Sequence, residues 1–172
     1  MELYAQHGFE QTTVAEIAER AGLTERTFFR HFADKREVLF YGSEMARDML
    51  ARAVADAPPA AAPMDAVRAG LEAFGAMIQE NPERALLRDA VISANAELRE
   101  RELIKLATLN AALAEALRQR GVTDPAASLA AEAGGAAFKL GFERWVADTK
   151  GTPMSAFIRE SLDALKAVAA GA

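Results

Sequence analysis

The chain has 172 residues, 51% of them hydrophobic and 26% charged, with a formal net charge of −5, so any nucleic-acid binding has to rest on a local basic patch rather than on the whole surface. It contains no cysteine and only two histidines, His7 and His31, which excludes disulfides, thiolate nucleophiles and cysteine-based zinc sites and leaves little for metal or triad chemistry. No apolar run approaches the ~18 to 20 residues that span a bilayer, and Met1 is not followed by a basic segment and apolar core of signal-peptide type, so a cytoplasmic protein without membrane contact, cofactor or metal is expected.

Alanine-rich runs favour helix, since alanine loses no side-chain entropy there, and no alternating strand pattern competes; the fold class expected is all-α. In chain order the punctuation predicts a short helix at 2–7, then helices at about 14–21, 25–31, 35–56, 64–80, 82–93, 96–119, 125–149 and 153–168. Gly22 before Thr24, the "APPAAAP" run at 57–63, and the pairs Asn81-Pro82, Asp124-Pro125 and Thr152-Pro153 mark the breaks. In each of those three pairs a capping side chain precedes a proline suited to a first helical turn. A small unit at 1–45 and a larger helical unit at 46–172 follow from this division.

The segment "TTVAEIAERAGLTERTFFRHFADK" has helix-turn-helix spacing. Thr13 can cap a helix whose apolar positions are Val14, Ile17, Ala18 and Ala21; Gly22 permits the turn, and Thr24 can cap the next helix. On that second helix Phe28 and Phe32 share one face while Arg26 and Arg30 point away from it. Arginine can pair bidentately with guanine and threonine, here Thr24 and Thr27, can touch a thymine methyl. Glu25 would be repelled by phosphate yet could accept a hydrogen bond from cytosine N4.

These residues, extended to "TTVAEIAERAGLTERTFFRHFADKREVL", resemble the DNA-binding signature of the tetracycline-repressor (TetR) family. That family closes its recognition helix with an aromatic-x-His-Phe-x-x-Lys string, matched by Phe29, His31, Phe32 and Lys35, and "LYAQHGFEQTT" resembles the end of its first helix and the following turn. The resemblance implies double-stranded operator DNA as partner, with Thr13, Thr24, Glu25, Arg26, Thr27, Phe29, Arg30, His31 and Lys35 at the interface and Lys35 on a phosphate. His31 is open between a phosphate contact and a structural hydrogen bond at the helix end, Lys35 between a phosphate contact and a solvated helix-start lysine, and Arg26 and Arg30 between DNA readers and ordinary surface arginines. Phe29 stands where the family usually has tyrosine, so a hydroxyl that could bond phosphate is replaced by a ring expected only to pack. The family also usually carries a basic arm and further helical turns ahead of "ELYAQHGF", so the first helix is expected to be truncated here.

Residues from about 64 to 168 resemble, more softly, the C-terminal domain of the mycofactocin-system regulator subgroup, described as binding acyl-CoA-like ligands. Bottom-up, this region predicts a helical bundle in which Phe74, Met77, Ile78, Val91, Phe138, Phe142 and Trp145 line an apolar chamber or simply form core. Asn110 interrupts the stripe of Leu103, Leu106, Leu113 and Leu117, as either a satisfied core amide or a ligand hydrogen-bond donor; Arg88 is either a contact for an anionic ligand group or part of a solvated face. Small residues at Ala130, Ala133, Gly134, Ala137 and Gly141, with Phe157, Ile158, Leu162 and Leu165, suggest the close helix pairing of a two-fold, four-helix homodimer interface. The expectation is a non-enzymatic, ligand-responsive DNA-binding regulator, set against two alternatives: a helical small-molecule-binding or scaffolding protein without DNA activity, and a helical hydrolase, for which no nucleophile-base pair stands out.

Overall fold

The computed structural model describes residues 1–171, and among these helices are the regular elements: α1 (Glu2–His7), α2 (Val14–Arg20), α3 (Glu25–His31), a 3-10 turn (Lys35–Val38), α4 (Ser43–Ala55), α5 (Pro63–Gln79), α6 (Pro82–Ser93), α7 (Ala96–Gln119), α8 (Ala126–Val146) and α9 (Met154–Ala169). The all-α expectation is met, and the elements follow the predicted order. One long helix does not form. The 35–56 segment is interrupted because the Asp34 carboxylate accepts from the amides of Arg36 and Glu37, closing a 3-10 turn, and because Gly42, at φ 93°, turns the chain in a region that side chains rarely adopt.

The described residues form two compact units, one of residues 1–43 and 82–103, the other of residues 44–81 and 104–171. Residues 82–103, which the sequence division put with the larger unit, thus cluster with the first 43. The core of the first unit is built from Tyr4, Phe9, Leu39, Phe40, Val91, Ile92 and Leu98. Phe40 is flanked by two guanidiniums, Arg88 at 5.2 Å and Arg101 at 6.0 Å from its ring centroid. Arg88 forks onto Glu102 at 3.0 and 2.6 Å and donates to the Leu39 carbonyl at 2.8 Å, while Arg101 pairs with Glu37.

In the second unit α5, α8 and α9 pack on one another over Val67, Leu71, Ile158 and Leu162, and Leu50, Val54, Leu113 and Leu117 are buried with them. α8 carries small residues where it approaches its neighbours: a Cβ at Gly134 would stand 2.4 Å from Val67 Cγ1, and one at Gly141 would stand 3.1 Å from the Phe157 carbonyl oxygen. The caps differ from the sequence pattern. Thr152 does not cap α9; its first amide, of Met154, is taken by the Gln79 side chain at 3.0 Å. Asp124 is held by Arg118 and Ser128. Arg120 donates to four carbonyls at the C-terminal end of α4 and just beyond it, those of Val54, Ala55, Ala57 and Pro58, at 2.6 to 3.1 Å. This satisfies acceptors that a helix end otherwise leaves open.

Candidate nucleic-acid interface

α2 begins in a reciprocal cap: Thr13 Oγ1 accepts from the Glu16 amide at 3.2 Å, and Glu16 returns to accept from the Thr13 amide at 2.7 Å. The Thr13 amide first, and then the Thr13 hydroxyl, which donates to the same carboxylate oxygen at 2.9 Å, hold the Glu16 carboxyl below its ordinary range. Thr24 caps α3 through the Thr27 amide at 3.2 Å, and its hydroxyl meets that of Thr27 at 3.1 Å. Both threonines therefore spend part of their hydrogen-bonding capacity on setting the helix.

The outward surface of α3 carries Glu25, Arg26, Phe29 and Arg30, all exposed, as is His31 at its last turn; Thr27 is half-buried. Its inner side is anchored by Phe28, which is buried and stacks against Phe32 at 5.2 Å; Phe32 in turn meets Tyr41 edge-on at 5.7 Å. The expected orientation of arginines outward and Phe28 and Phe32 inward is what the structure has. Phe29 departs from expectation: it rests on Phe28 edge to face at 5.4 Å but remains 55% exposed, so it does not simply pack.

Lys35 corrects the sequence expectation most directly. Its ammonium points inward, donating to the carbonyls of Phe9 at 2.8 Å, Glu10 at 3.0 Å and Thr12 at 3.0 Å, and lies 4.5 Å from the centre of the Phe9 ring. All three N–H donors are engaged, so the phosphate role is not available without breaking this clamp. The backbone of the same residue accepts from the Tyr4 hydroxyl at 2.5 Å, whose burial raises the phenol above its usual range. Thr12 completes the knot, buried and donating to Gly8 O at 2.8 Å and Leu3 O at 3.2 Å. Beside it, Arg36 holds the Asp34 carboxyl below its ordinary value. Nothing in the residue order signals that Lys35 turns in; an exposed and an inward lysine look alike in sequence.

The residues expected to line one ligand chamber separate between the units. Val91 and Arg88 are corrected: Val91 is buried in the core of the first unit, and the Arg88 guanidinium is engaged there by Glu102 and the Leu39 carbonyl. In the second unit Phe74, Phe138, Phe142 and Trp145 form a row with successive ring centroids 5.0, 6.2 and 5.7 Å apart, and Met77 and Ile78 are half-buried on the last turn of α5. Asn110 does not join the row. It donates to Glu132 at 3.0 Å over Gly135, where a Cβ would stand 2.3 Å from Asn110 Oδ1. A groove of about 340 Å³ opens between the end of α5 and the start of α9, lined by Gly75, Gln79, Met154 and Ser155 among others, and none of the expected ligand residues borders it.

Six of the nine residues expected at the dimer interface lie inside the single chain. Ala130, Gly134, Ala137, Gly141, Ile158 and Leu162 are buried within the single chain, where Gly134 admits α5 and Gly141 admits α9 of the same copy; Ala133, Phe157 and Leu165 are half-buried. The opposite face of α8 instead presents Leu129 and Leu140, 65% and 57% exposed.

A helix-turn-helix with an arginine-bearing outward face, joined to a bundle of this kind, finds its counterpart in known proteins. Residues 1–41 match the family model of bacterial regulatory proteins of the tetR family, and residues 61–170 match that of the MftR C-terminal domain. The chain belongs to the TetR family. Members of that family are transcriptional regulators that bind operator DNA and function as dimers. The HTH-type transcriptional regulator TcmR of Streptomyces glaucescens is 55% identical over 38 residues, which are 22% of this chain and 17% of that protein's length. Among solved structures, the TetR-family repressor FadR of Thermus thermophilus, in complex with lauroyl-CoA, superposes with a TM-score of 0.62 at 24% identity over 96% of this chain and 89% of its own. The TetR-family regulator PfmR, also of Thermus thermophilus, gives a TM-score of 0.53 at 23% identity, covering 95% of this chain and 92% of its own. Among the described residues no helix is long and apolar enough to cross a membrane.

Proposed function

We propose that this TetR-family regulator is a repressor that leaves a palindromic operator when a small apolar or amphipathic effector, of acyl type, enters the second unit. The observation that carries the DNA side is the outward face of α3, where Arg26 and Arg30 stand exposed beside capping threonines. Thr13, Thr24, Glu25, Thr27 and His31 complete the proposed interface, and Lys35 supports it from inside rather than touching DNA. The effector reading rests on the aromatic row from Phe74 to Trp145, an apolar surface that a chain-like ligand would enter by parting stacked rings. The acyl-CoA ligand of the FadR structure supports the chemical class and no more. Release follows only to the extent that the effector prefers the conformation that does not fit DNA.

The test is selection of bound duplexes from a random pool by the full chain. An inverted repeat with salt-dependent binding is expected. Arg26→Ala and Arg30→Ala should each then weaken binding by ~1 to 3 kcal/mol if they read guanine, with the loss concentrated at one base position. A random recovered pool would favour the alternative of a helical binding protein without DNA activity.

For dimerisation we propose the outward stripe of α8, Leu129, Ala133, Ala136 and Leu140, which recurs at helical spacing on the face opposite Gly134. Because two-fold symmetry places each residue in the interface twice, Leu140→Glu should raise the dimer dissociation constant by about tenfold to a hundredfold in sedimentation equilibrium. An unchanged constant would move the interface elsewhere.

A further inference from the structure

Phe29 is a large apolar side chain left standing in water beside cations. It is 55% exposed, whereas Phe28, its neighbour in sequence, is 2% exposed. The two rings meet at 5.4 Å and 88°, so the buried ring fixes the direction in which the exposed one stands. Phe29 follows Arg26 by three residues and precedes Arg30 by one, which on a helix places it about 60° from the former on the outward surface.

An aromatic ring held on a polar, arginine-bearing face is unfavourably solvated in the free protein. Its occupant is set by the charge around it: the guanidiniums of Arg26 and Arg30 draw a polyanion to this surface. We infer that Phe29 is a specificity-determining residue that reads the C5-methyl group of one thymine per half-site in the major groove. The inference rests on the operator-binding reading above. A phenylalanine ring has neither donor nor acceptor, so it can bond neither a phosphate oxygen nor the polar edge of a base. Among the four bases thymine alone offers an apolar group in the major groove. Phe28 supplies the preorganisation, since the ring is already placed and little rotamer freedom is lost on contact.

The test uses the selected operator with each thymine replaced singly by uracil, which keeps every hydrogen-bonding edge and deletes only the methyl. With the full-length chain, uracil at one position in each half-site should weaken binding about threefold to tenfold, the range expected from losing one buried methyl contact. Phe29→Ala should bind the thymine and uracil duplexes equally, and Phe29→Leu, which keeps an apolar side chain, should retain part of the difference. Uracil penalties of the same size in the wild type and in Phe29→Ala at every position overturn the inference while leaving operator binding intact. Failure to recover any bound duplex overturns the operator reading itself, and the inference with it.

Discussion

Lys35→Met should destabilise the first unit by about 3 to 5 kcal/mol, because it removes three charge-assisted hydrogen bonds at once and leaves the carbonyls of Phe9, Glu10 and Thr12 without their donor. Such a loss is a large share of the roughly 5 to 15 kcal/mol that typically holds a domain together. The methionine keeps most of the aliphatic stem over Phe9, so the change isolates the ammonium. Lys35→Arg should not restore the lost stability, since a planar fork cannot aim its donors at three converging carbonyls as an ammonium does. Chemical denaturation of the variants, with hydrogen exchange at residues 9 to 13 to localise the effect, is the direct measurement. Unchanged stability together with a fall of about one in the salt slope of operator binding would instead return Lys35 to the phosphate backbone.

Gly134→Leu should cost about 3 kcal/mol or more, and the loss should appear in folding rather than in dimerisation. Even a methyl at this position would lie 2.4 Å from Val67 Cγ1 and 3.5 Å from Leu71 Cδ1. Val67 is fully buried and β-branched, so it cannot rotate aside cheaply. The gain in helix propensity over glycine, about 1 kcal/mol, offsets only part of that strain. Thermal unfolding should show the drop, while the dimer constant measured under folding conditions should stay near that of the wild type. A weakened dimer with intact stability would place Gly134 at the contact between copies.

The two residues illustrate where a sequence stops being legible. Thr13, Gly22, Thr24 and the arginines of α3 could be placed because their positions are local: a cap, a turn and a helical face depend on neighbours within one or two turns. The helices from 82 to 93 and 96 to 119 were legible for the same reason. Lys35 was not, because its acceptors lie 23 to 26 residues earlier in the chain and carbonyls carry no residue signature. The glycine-bearing face of α8 showed correctly that something approaches closely, but spacing alone cannot say whether the approaching helix belongs to the same copy or to another. Val91 and Phe138 look equivalent as buried apolar residues in helices, and only long-range packing assigns them to different cores.

The four carbonyls gathered by Arg120 have a mechanical consequence. A single guanidinium just after the last turn of α7 grips the C-terminal end of α4 and the first residues beyond it, and its planar, rigid geometry tolerates little sliding or rotation between the two. The terminus of α4 is therefore pinned like the fixed end of a lever. A displacement of the end of α7 carries that pinned end along with it, and any independent swing of α4 has to pivot about residues 54 to 58.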